Sequence, residues 1–529
     1  VQWRSIAKVL SYFLFCFSAL TLIPLLVAIY YDYFSHSPLP RTTYAFVITT
    51  IISLLLAGFF RLISRCGSNR FYRKESLIVV TFMWVLASVL AAVPFLAART
   101  FDKPINALFE SVSGFTTTGF TVVYPKAYSH GKEVPITLDL PHTDISYTFY
   151  GTIKEFIHPQ TGKVYSGFDA IPRPILFWRS FTQWVGGLGI IFVFIAIFPL
   201  LNIGGKYLFS SETQSPTSET LTPQFKQTAS ALWKIYIGLT VLQIILMLAF
   251  DPNMHLLNAT LITFSTISTG GFSPACGPIS HYTNSAAQLI ILFFMIFGAI
   301  NFSLYFFCLR GNFRRLNNPE LYFFIAALLL CCFLVIWRLF PTTSTPFLQG
   351  AFQTTSSLTC TGFPIDHYDR WPFPCQLVIL FAMYIGGMTG STAGGIKTAR
   401  HLILFHTFKY HIRRLFRPNL VQTMRLTSSI TITSDALRSV FTFFWLIIVL
   451  TALGTLLLVF DHLDLTTAMG LVSGGINNAG ISFRATGPDG TCAVLSDFSK
   501  SLIIIWMLLG RLEFFAFFCL LFPSFWKKS

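Results

Sequence analysis

Apolar residues in this 529-residue chain come mostly in unbroken runs rather than in alternation or in narrow stripes. The runs cover 6–30, 42–64, 75–98, 175–201, 230–250, 285–309, 320–340, 373–393, 437–460 and 498–524. Each is near the ~20 residues that a helix needs to cross a bilayer core, which predicts ten spans. The first run is longer than the apolar part of a secretory signal and no small-residue cleavage site follows it, so it is read as a span.

Between spans lie stretches that fit neither a span nor a solvent loop. From residue 109 the chain reads "FESVSGFTTTGF", from 261 "LITFSTISTGGF", from 352 "FQTTSSLTCTGF" and from 470 "GLVSGGINNAGI". Each block closes on Gly followed by Phe or Ile, which makes Gly119, Gly271, Gly362 and Gly480 equivalent positions. The blocks are too short and too polar to span. They predict re-entrant half-helices that dip in and return through extended Thr-Gly backbone, a geometry tolerated in a membrane only when buried in protein or lining a cavity. Four such segments meeting on one axis would aim helix C-termini and backbone carbonyls at a cation, with glycine allowing the turn and the framing aromatics packed outward. Small-residue seams between packed helices are the plainer reading of any single block, but not of four in the same topological place.

Composition sharpens this picture. With 53% hydrophobic and 11% charged residues the chain cannot cover a water-facing surface, so a multispanning membrane protein is expected. The formal charge of +16 is a matter of placement rather than of nucleic-acid binding. Arg61, Arg65, Arg70, Arg73 and Lys74 follow the second run, Arg310, Arg314 and Arg315 the sixth, and Lys397, Arg400, Lys409, Arg413, Arg414 and Arg417 the eighth. The positive-inside rule puts these linkers, the 202–229 segment and both termini in the cytoplasm. There is no HExxH, no GxSxG and no pair of intramembrane aspartates, so no enzyme is expected.

On "SGFTTTGF", "FSTISTGGFS", "TCTGF" and "NNAG", with "WVGGLGIIF", "FGAINFSLYF", "GGMTGSTAGGIKT" and "MLLGRLEFF" after them, the chain resembles the Trk/Ktr/HKT superfamily of potassium transporters, TrkH-type pore subunits above all. The resemblance covers nearly the whole chain. It implies an all-α membrane protein with two N-terminal helices (1–70) and four helix, re-entrant loop, helix repeats (71–205, 206–316, 317–420 and 421–529) around a pseudo-fourfold pore. It further implies a homodimer in a bacterial inner membrane, surrounded by lipid and regulated by a cytosolic TrkA-type nucleotide-binding subunit. Potassium is then the transported ion, with no organic cofactor in this chain. The filter would comprise Thr117, Thr118, Gly119, Thr269, Gly270, Gly271, Cys360, Thr361, Gly362, Asn478, Ala479 and Gly480, acting through backbone carbonyls. Serine at the first-filter glycine accompanies sodium transport in some plant relatives, so Gly119 favours potassium.

Two features lie beyond the blocks. Arg511, inside "IIIWMLLGRLEFFAFF", is costly at membrane depth and should face the interior, under the filter by resemblance, as part of a gate. An ion pair with Glu110 or another carboxylate is the alternative, Glu513 being badly placed two residues along a helix. The stretch 386–398 lacks the Gly-Lys-[Ser/Thr] order of a phosphate loop because Ile396 separates Gly395 from Lys397. Its glycines, Gly390, Gly394 and Gly395 among them, instead suggest a local unwinding that matches the family's intramembrane gating loop. A proton- or sodium-coupled symporter stays open as the alternative mechanism; Glu110, Arg511 and Glu513 are its conspicuous candidates.

The linker from about 126 to 173 is longer than the family leads one to expect. "PITLDL" and "ISYTFY" alternate like short strands, so a hairpin cap and a disordered insertion are both open. The polar 210–220 segment, "SSETQSPTSET", reads as flexible. Of ten cysteines, most lie in apolar runs, and Cys276 and Cys492 fall on the same side and could pair.

Overall fold

The computed structural model describes residues 2–35, 39–64, 73–140, 145–158, 162–187, 189, 225–417, 425–427, 430–431 and 434–527. The second half of the 175–201 run and the 210–220 segment lie outside the described residues. Two antiparallel helices open the chain, α1 (Trp3–Ile29) and α2 (Thr43–Ile63). There follow four units of a long helix, a short helix and a second long helix. The first is α3 (Arg73–Ala97), α4 (Pro104–Phe115) and α5 (Arg173–Gly187). The second is α6 (Phe225–Phe250), α7 (Leu256–Ile267) and the pair α8 (Ser285–Ala299) and α9 (Phe302–Leu309). In the third, α10 (Pro319–Leu339) and α11 (Pro346–Leu358) precede α12 (Phe373–Ile385) and α13 (Thr398–Phe416). The fourth runs α14 (Ser434–Phe460), α15 (Leu465–Ile476), α16 (Asp497–Arg511) and α17 (Phe515–Leu521).

Among the described residues, six helices are long and apolar enough to cross a membrane by themselves: α1, α2, α3, α6, α10 and α14. Their outward faces stay apolar, as with Trp445 and Ile448 on α14, because the surrounding solvent is lipid and not water. The helices that follow the short ones behave differently. The 285–309 run is a pair bent by 95° between α8 and α9, the 373–393 run leaves helical geometry after Ile385, and the 498–524 run breaks between Arg511 and Phe515. Three predicted spans are therefore broken ones, and their breaks lie directly beneath the ends of the short helices. Loop hydrogen bonds take over where the helix stops: Met388 N–H donates to the Ala299 carbonyl (2.9 Å) and Phe302 N–H to the Gly390 carbonyl (3.1 Å).

The linker after α4 folds as three two-stranded antiparallel hairpins: β1 (Ala127–Ser129) with β2 (Lys132–Val134), β3 (Ile136–Asp139) with β4 (Ser146–Phe149), and β5 (Phe156–Ile157) with β6 (Val164–Tyr165). The "PITLDL" and "ISYTFY" segments are thus partners, in a register that sets Leu138 opposite Tyr147. The face carrying these hairpins is termed the cap face. The opposite one, where Arg310, Arg413 and Arg414 lie, is the basic face.

Candidate functional site

The four short helices all enter from the cap face and all end in the same way. At the first, Thr117 N–H donates to the Gly114 carbonyl (3.0 Å) and Thr118 N–H to that of Ser113 (3.0 Å). The same pair of bonds links Thr269 to Thr266 and Gly270 to Ser265, Cys360 to Ser357 and Thr361 to Ser356, and Asn478 to Gly475 and Ala479 to Gly474. This is the Schellman closure, whose pivotal residue must be left-handed and is usually glycine. Here the pivots are Thr117, Thr269, Cys360 and Asn478, at φ 55°, 52°, 55° and 50°. Left-handed backbone costs an L-residue roughly 1–2 kcal/mol, so each segment holds its turn against a local preference, four times over.

The glycine two residues on carries each turn into extended return backbone. Gly119, Gly271, Gly362 and Gly480 have φ of 92°, 76°, 90° and 61°. Each faces the next unit's backbone with no room for a side chain. A Cβ on Gly119 would fall within 3.0 Å of the Gly270 carbonyl oxygen, one on Gly271 of that of Thr361, one on Gly362 of that of Ala479, and one on Gly480 of that of Thr118. The sequence of contacts closes on itself, unit one to two to three to four and back to one. All twelve residues of the predicted filter therefore lie on one ring, with Phe120, Phe272, Phe363 and Ile481 buried behind it.

Buried side chains brace the return strands. Glu110 accepts from Val122 N–H (3.0 Å), and Gln353, at the matching position of the third unit, accepts from Ile365 N–H (3.1 Å). In the second unit Gln183 of α5 takes that part, donating to the Gly270 carbonyl (2.6 Å) and accepting from Phe272 N–H (3.1 Å). Glu110 is ion-paired to Arg179 (2.7 Å), the two side chains being 0% and 2% exposed. The guanidinium also donates to the Ser273 carbonyl and lies 4.3 Å from the Phe272 ring centre. Burying such a pair is costly in desolvation, and breaking it on one side costs more still, because it leaves the other charge buried without its partner. Glu110 is therefore engaged by Arg179 and not by Arg511. Gln183 and Arg179 are not singled out by the sequence blocks; a Gln and an Arg inside an apolar helix were the available signal, since a buried polar group needs partners.

Below the ring, on the basic-face side, the 386–397 backbone forms a non-helical loop wedged between units. Thr392 donates its hydroxyl to the carbonyls of Ile267 and Gly298, both at 2.9 Å, and Gly395 N–H donates to the Asn477 carbonyl (2.9 Å). Gly390 sits against the Asn301 side chain, Gly394 against the Asn477 carbonyl and Gly395 against Gly386. Glu320 at the start of α10 holds both ends of the loop, accepting from Thr389 N–H (2.7 Å) and the Thr398 hydroxyl (2.9 Å).

Arg511 ends α16 and extends beneath the ring. Its guanidinium donates to the carbonyls of Gly186 and Gly187 (the latter at 3.1 Å) on α5, to the Thr117 hydroxyl (3.4 Å) and to the Thr392 carbonyl (3.4 Å) of the loop. One cation thus ties the first unit to the third, which stand opposite each other in the ring. Glu513, two residues on, pairs with Arg400.

On the cap face the third and fourth return strands are joined by Tyr368, whose hydroxyl donates to the Ser482 carbonyl (2.7 Å), and by Asp369, which accepts from Arg484 N–H (3.0 Å). His367 and Arg370 both pair with Asp489. Burial, with Asp489 adding to it, pushes the Asp369 carboxyl up to about 7 against the pull of Arg484. An ordinary carboxyl titrates near 3.9, so the folded state holds this proton more tightly and stability falls as pH rises from about 4 to 7. Asp369→Asn, which keeps an acceptor but removes the charge, is expected to raise the melting temperature of detergent-solubilised protein more at pH 8 than at pH 5. Equal shifts at the two pH values would contradict this. Cys276 and Cys492 are separate thiols, one exposed and one buried.

The family model described as "TrkH: Cation transport protein" matches residues 127–342 and 340–527. The Trk system potassium uptake protein TrkH of Vibrio parahaemolyticus is 31% identical over the whole of both chains. The TrkG protein of Escherichia coli is 29% identical over 99% of each. The crystal structure of the potassium transporter TrkH from Vibrio parahaemolyticus superposes with a TM-score of 0.78 at 28% identity, covering all of both chains.

Proposed function

The chain belongs to the TrkH family of cation transport proteins, and from that premise we propose that it is a gated, potassium-selective pore whose filter is the four-glycine ring. The observation that carries the reading is the closed cycle of contacts from Gly119 through Gly271 and Gly362 to Gly480. Four helix C-termini converge there, each with its negative dipole end towards the axis, and backbone oxygens of Thr117–Gly119, Thr269–Gly271, Cys360–Gly362 and Asn478–Gly480, apart from the Gly270 carbonyl that Gln183 holds, replace the water shell of a potassium ion. Cys360 serves through its carbonyl, its thiol being incidental. Arg511 and the 386–397 loop form the gate in its shut arrangement: the guanidinium places a positive charge under the filter while its hydrogen bonds hold the loop against α5.

Orientation follows from charge, with the basic face and both termini in the cytoplasm and the cap face outside the inner membrane. The protein acts as a homodimer with a pore in each subunit. A TrkA-type nucleotide-binding ring docks on the basic face, where Arg413, Arg414, Leu415 and Phe416 stand exposed at the end of α13 and offer both charge and apolar surface. By drawing the loop and Arg511 apart, that ring raises the flux above the low level that the protein alone supports.

The test is potassium and rubidium uptake into proteoliposomes holding the purified protein, with sodium as competitor and the proton gradient present or collapsed. Uptake that favours potassium and persists without the gradient is expected. Uptake that vanishes with the gradient would make the protein a coupled carrier.

A further inference from the structure

A ring made from four units of a single chain has three seams crossed by the chain itself and one, between the fourth unit and the first, that no linker crosses. At that seam the filter contacts are particular. The Asn478 amide donates to the Thr118 hydroxyl (3.0 Å), and Cys492 N–H donates to the Thr121 carbonyl (2.9 Å). The Phe120 ring lies against Gly474 on α15. A salt bridge between Lys103 and Asp497 also crosses it, but both side chains are more than half exposed and contribute little.

The hairpin insertion, for which the transport reading has no use, lands on the same seam. Tyr147 of β4 donates its hydroxyl to one carboxylate oxygen of Asp464 (3.0 Å) and accepts from Asp464 N–H (2.8 Å). The other carboxylate oxygen accepts from Thr467 N–H (3.1 Å) and so caps α15. Its side chain is only 5% exposed and faces Arg484 at 3.6 Å. The starts of the other three short helices, at Lys103, His255 and Thr345, have no side-chain cap. The one capped helix is the one the insertion grips.

At its base the insertion is fixed to the return strand of the first unit. Thr152 N–H donates to the Tyr124 carbonyl (2.9 Å) and Tyr124 N–H to the Thr152 hydroxyl (3.1 Å), while Lys126 pairs with Asp102 and Glu133, both at 2.9 Å. Rooted on the first return strand and holding the start of the fourth helix, the hairpin spans the seam from above.

We propose that the 127–165 hairpins are a latch that closes the fourth-to-first seam, and that Tyr147, through Asp464, is a positioning residue for the Asn478–Gly480 quarter of the filter. Sub-ångström tilting of α15 moves Ala479 and Gly480 against Thr118, and selectivity depends on that spacing. The inference rests on the ring being the filter.

The test compares Tyr147→Phe, Asp464→Asn and the double variant with wild type, reading sodium against rubidium flux in proteoliposomes beside a thermal melt. Asparagine caps helices about as well as aspartate, so the second variant leaves α15 capped. Each single variant should raise relative sodium flux about fivefold, the scale of one hydrogen bond, with little change in melting temperature. The double variant should add less than twofold to the effect of Tyr147→Phe, since losing the hydroxyl already removes both hydrogen bonds, including the one that Asp464→Asn weakens. Wild-type selectivity in both single variants, or a lowered melting temperature with selectivity intact, would overturn the latch and leave only a brace. Independent effects that multiply in the double variant would overturn the pairing. Wild type that itself shows no potassium preference would sink the filter reading, an outcome separate from the others.

Discussion

Serine in place of Gly119 is expected to raise sodium permeation relative to potassium by at least about tenfold, equivalent to ~1.4 kcal/mol of lost discrimination. Two independent features set that size. Gly119 has φ 92°, a conformation that L side chains rarely adopt, and its absent Cβ would strike the Gly270 carbonyl oxygen. That oxygen is already held from the other side by Gln183 at 2.6 Å, so it cannot simply retreat. The substitution must therefore open the ring between the first and second units. A potassium-sized cage widened on one side no longer penalises sodium, which can keep part of its water shell there. Because the conflict lies in Cβ itself, Gly119→Ala should act in the same direction as serine. Rubidium and sodium fluxes in proteoliposomes would decide. Normal selectivity in the alanine variant with altered selectivity in the serine variant would mean that a hydroxyl ligand, not ring closure, governs the choice.

Arg511→Ala carries the other large effect: flux through the isolated protein should rise at least about tenfold with selectivity nearly unchanged. At an effective dielectric of about 20, a unit charge ~8 Å from a permeating ion raises its energy by about 2 kcal/mol. Removing the side chain deletes that barrier and frees the carbonyls of Gly186, Gly187 and Thr392, which become attractive to a cation. It also unties the loop from α5. Arg511→Lys separates these contributions, since lysine keeps the charge but lacks the fork that engages both α5 and the loop. Its flux should lie between wild type and the alanine variant. Wild-type flux in folded Arg511→Ala protein would reduce the residue to a structural tie.

The four blocks were legible because a Gly-Phe cadence amid apolar runs has few physical explanations, and "FTTTGF" and "LTCTGF" share their spacing. Period-two alternation in "PITLDL" and "ISYTFY" pointed to short strands, but it left a disordered insertion open beside the hairpin. What sequence reasoning could not reach were features set by tertiary hydrogen bonds. Residue type does not predict a left-handed Thr117 or Cys360, since the Schellman closure usually takes glycine at that position. The break between Ala299 and Phe302 contains neither glycine nor proline; it is created by loop groups from the third unit that capture the freed backbone. Arg511 turns its guanidinium inward, onto α5. Its partners are backbone carbonyls of two other units, which no pairing rule along one helix would find. Gln183 and the Tyr147–Asp464 contact join residues far apart in the chain, and single-sequence spacing carries no trace of them.

Anomalous diffraction from crystals grown in rubidium would locate the ion that the four-glycine ring is proposed to hold. A rubidium peak on the axis, bounded by Thr117–Gly119, Thr269–Gly271, Cys360–Gly362 and Asn478–Gly480, is the predicted result, and it should weaken as sodium replaces rubidium. Rubidium density elsewhere in the protein, with the ring empty, would rule out the ring as the filter.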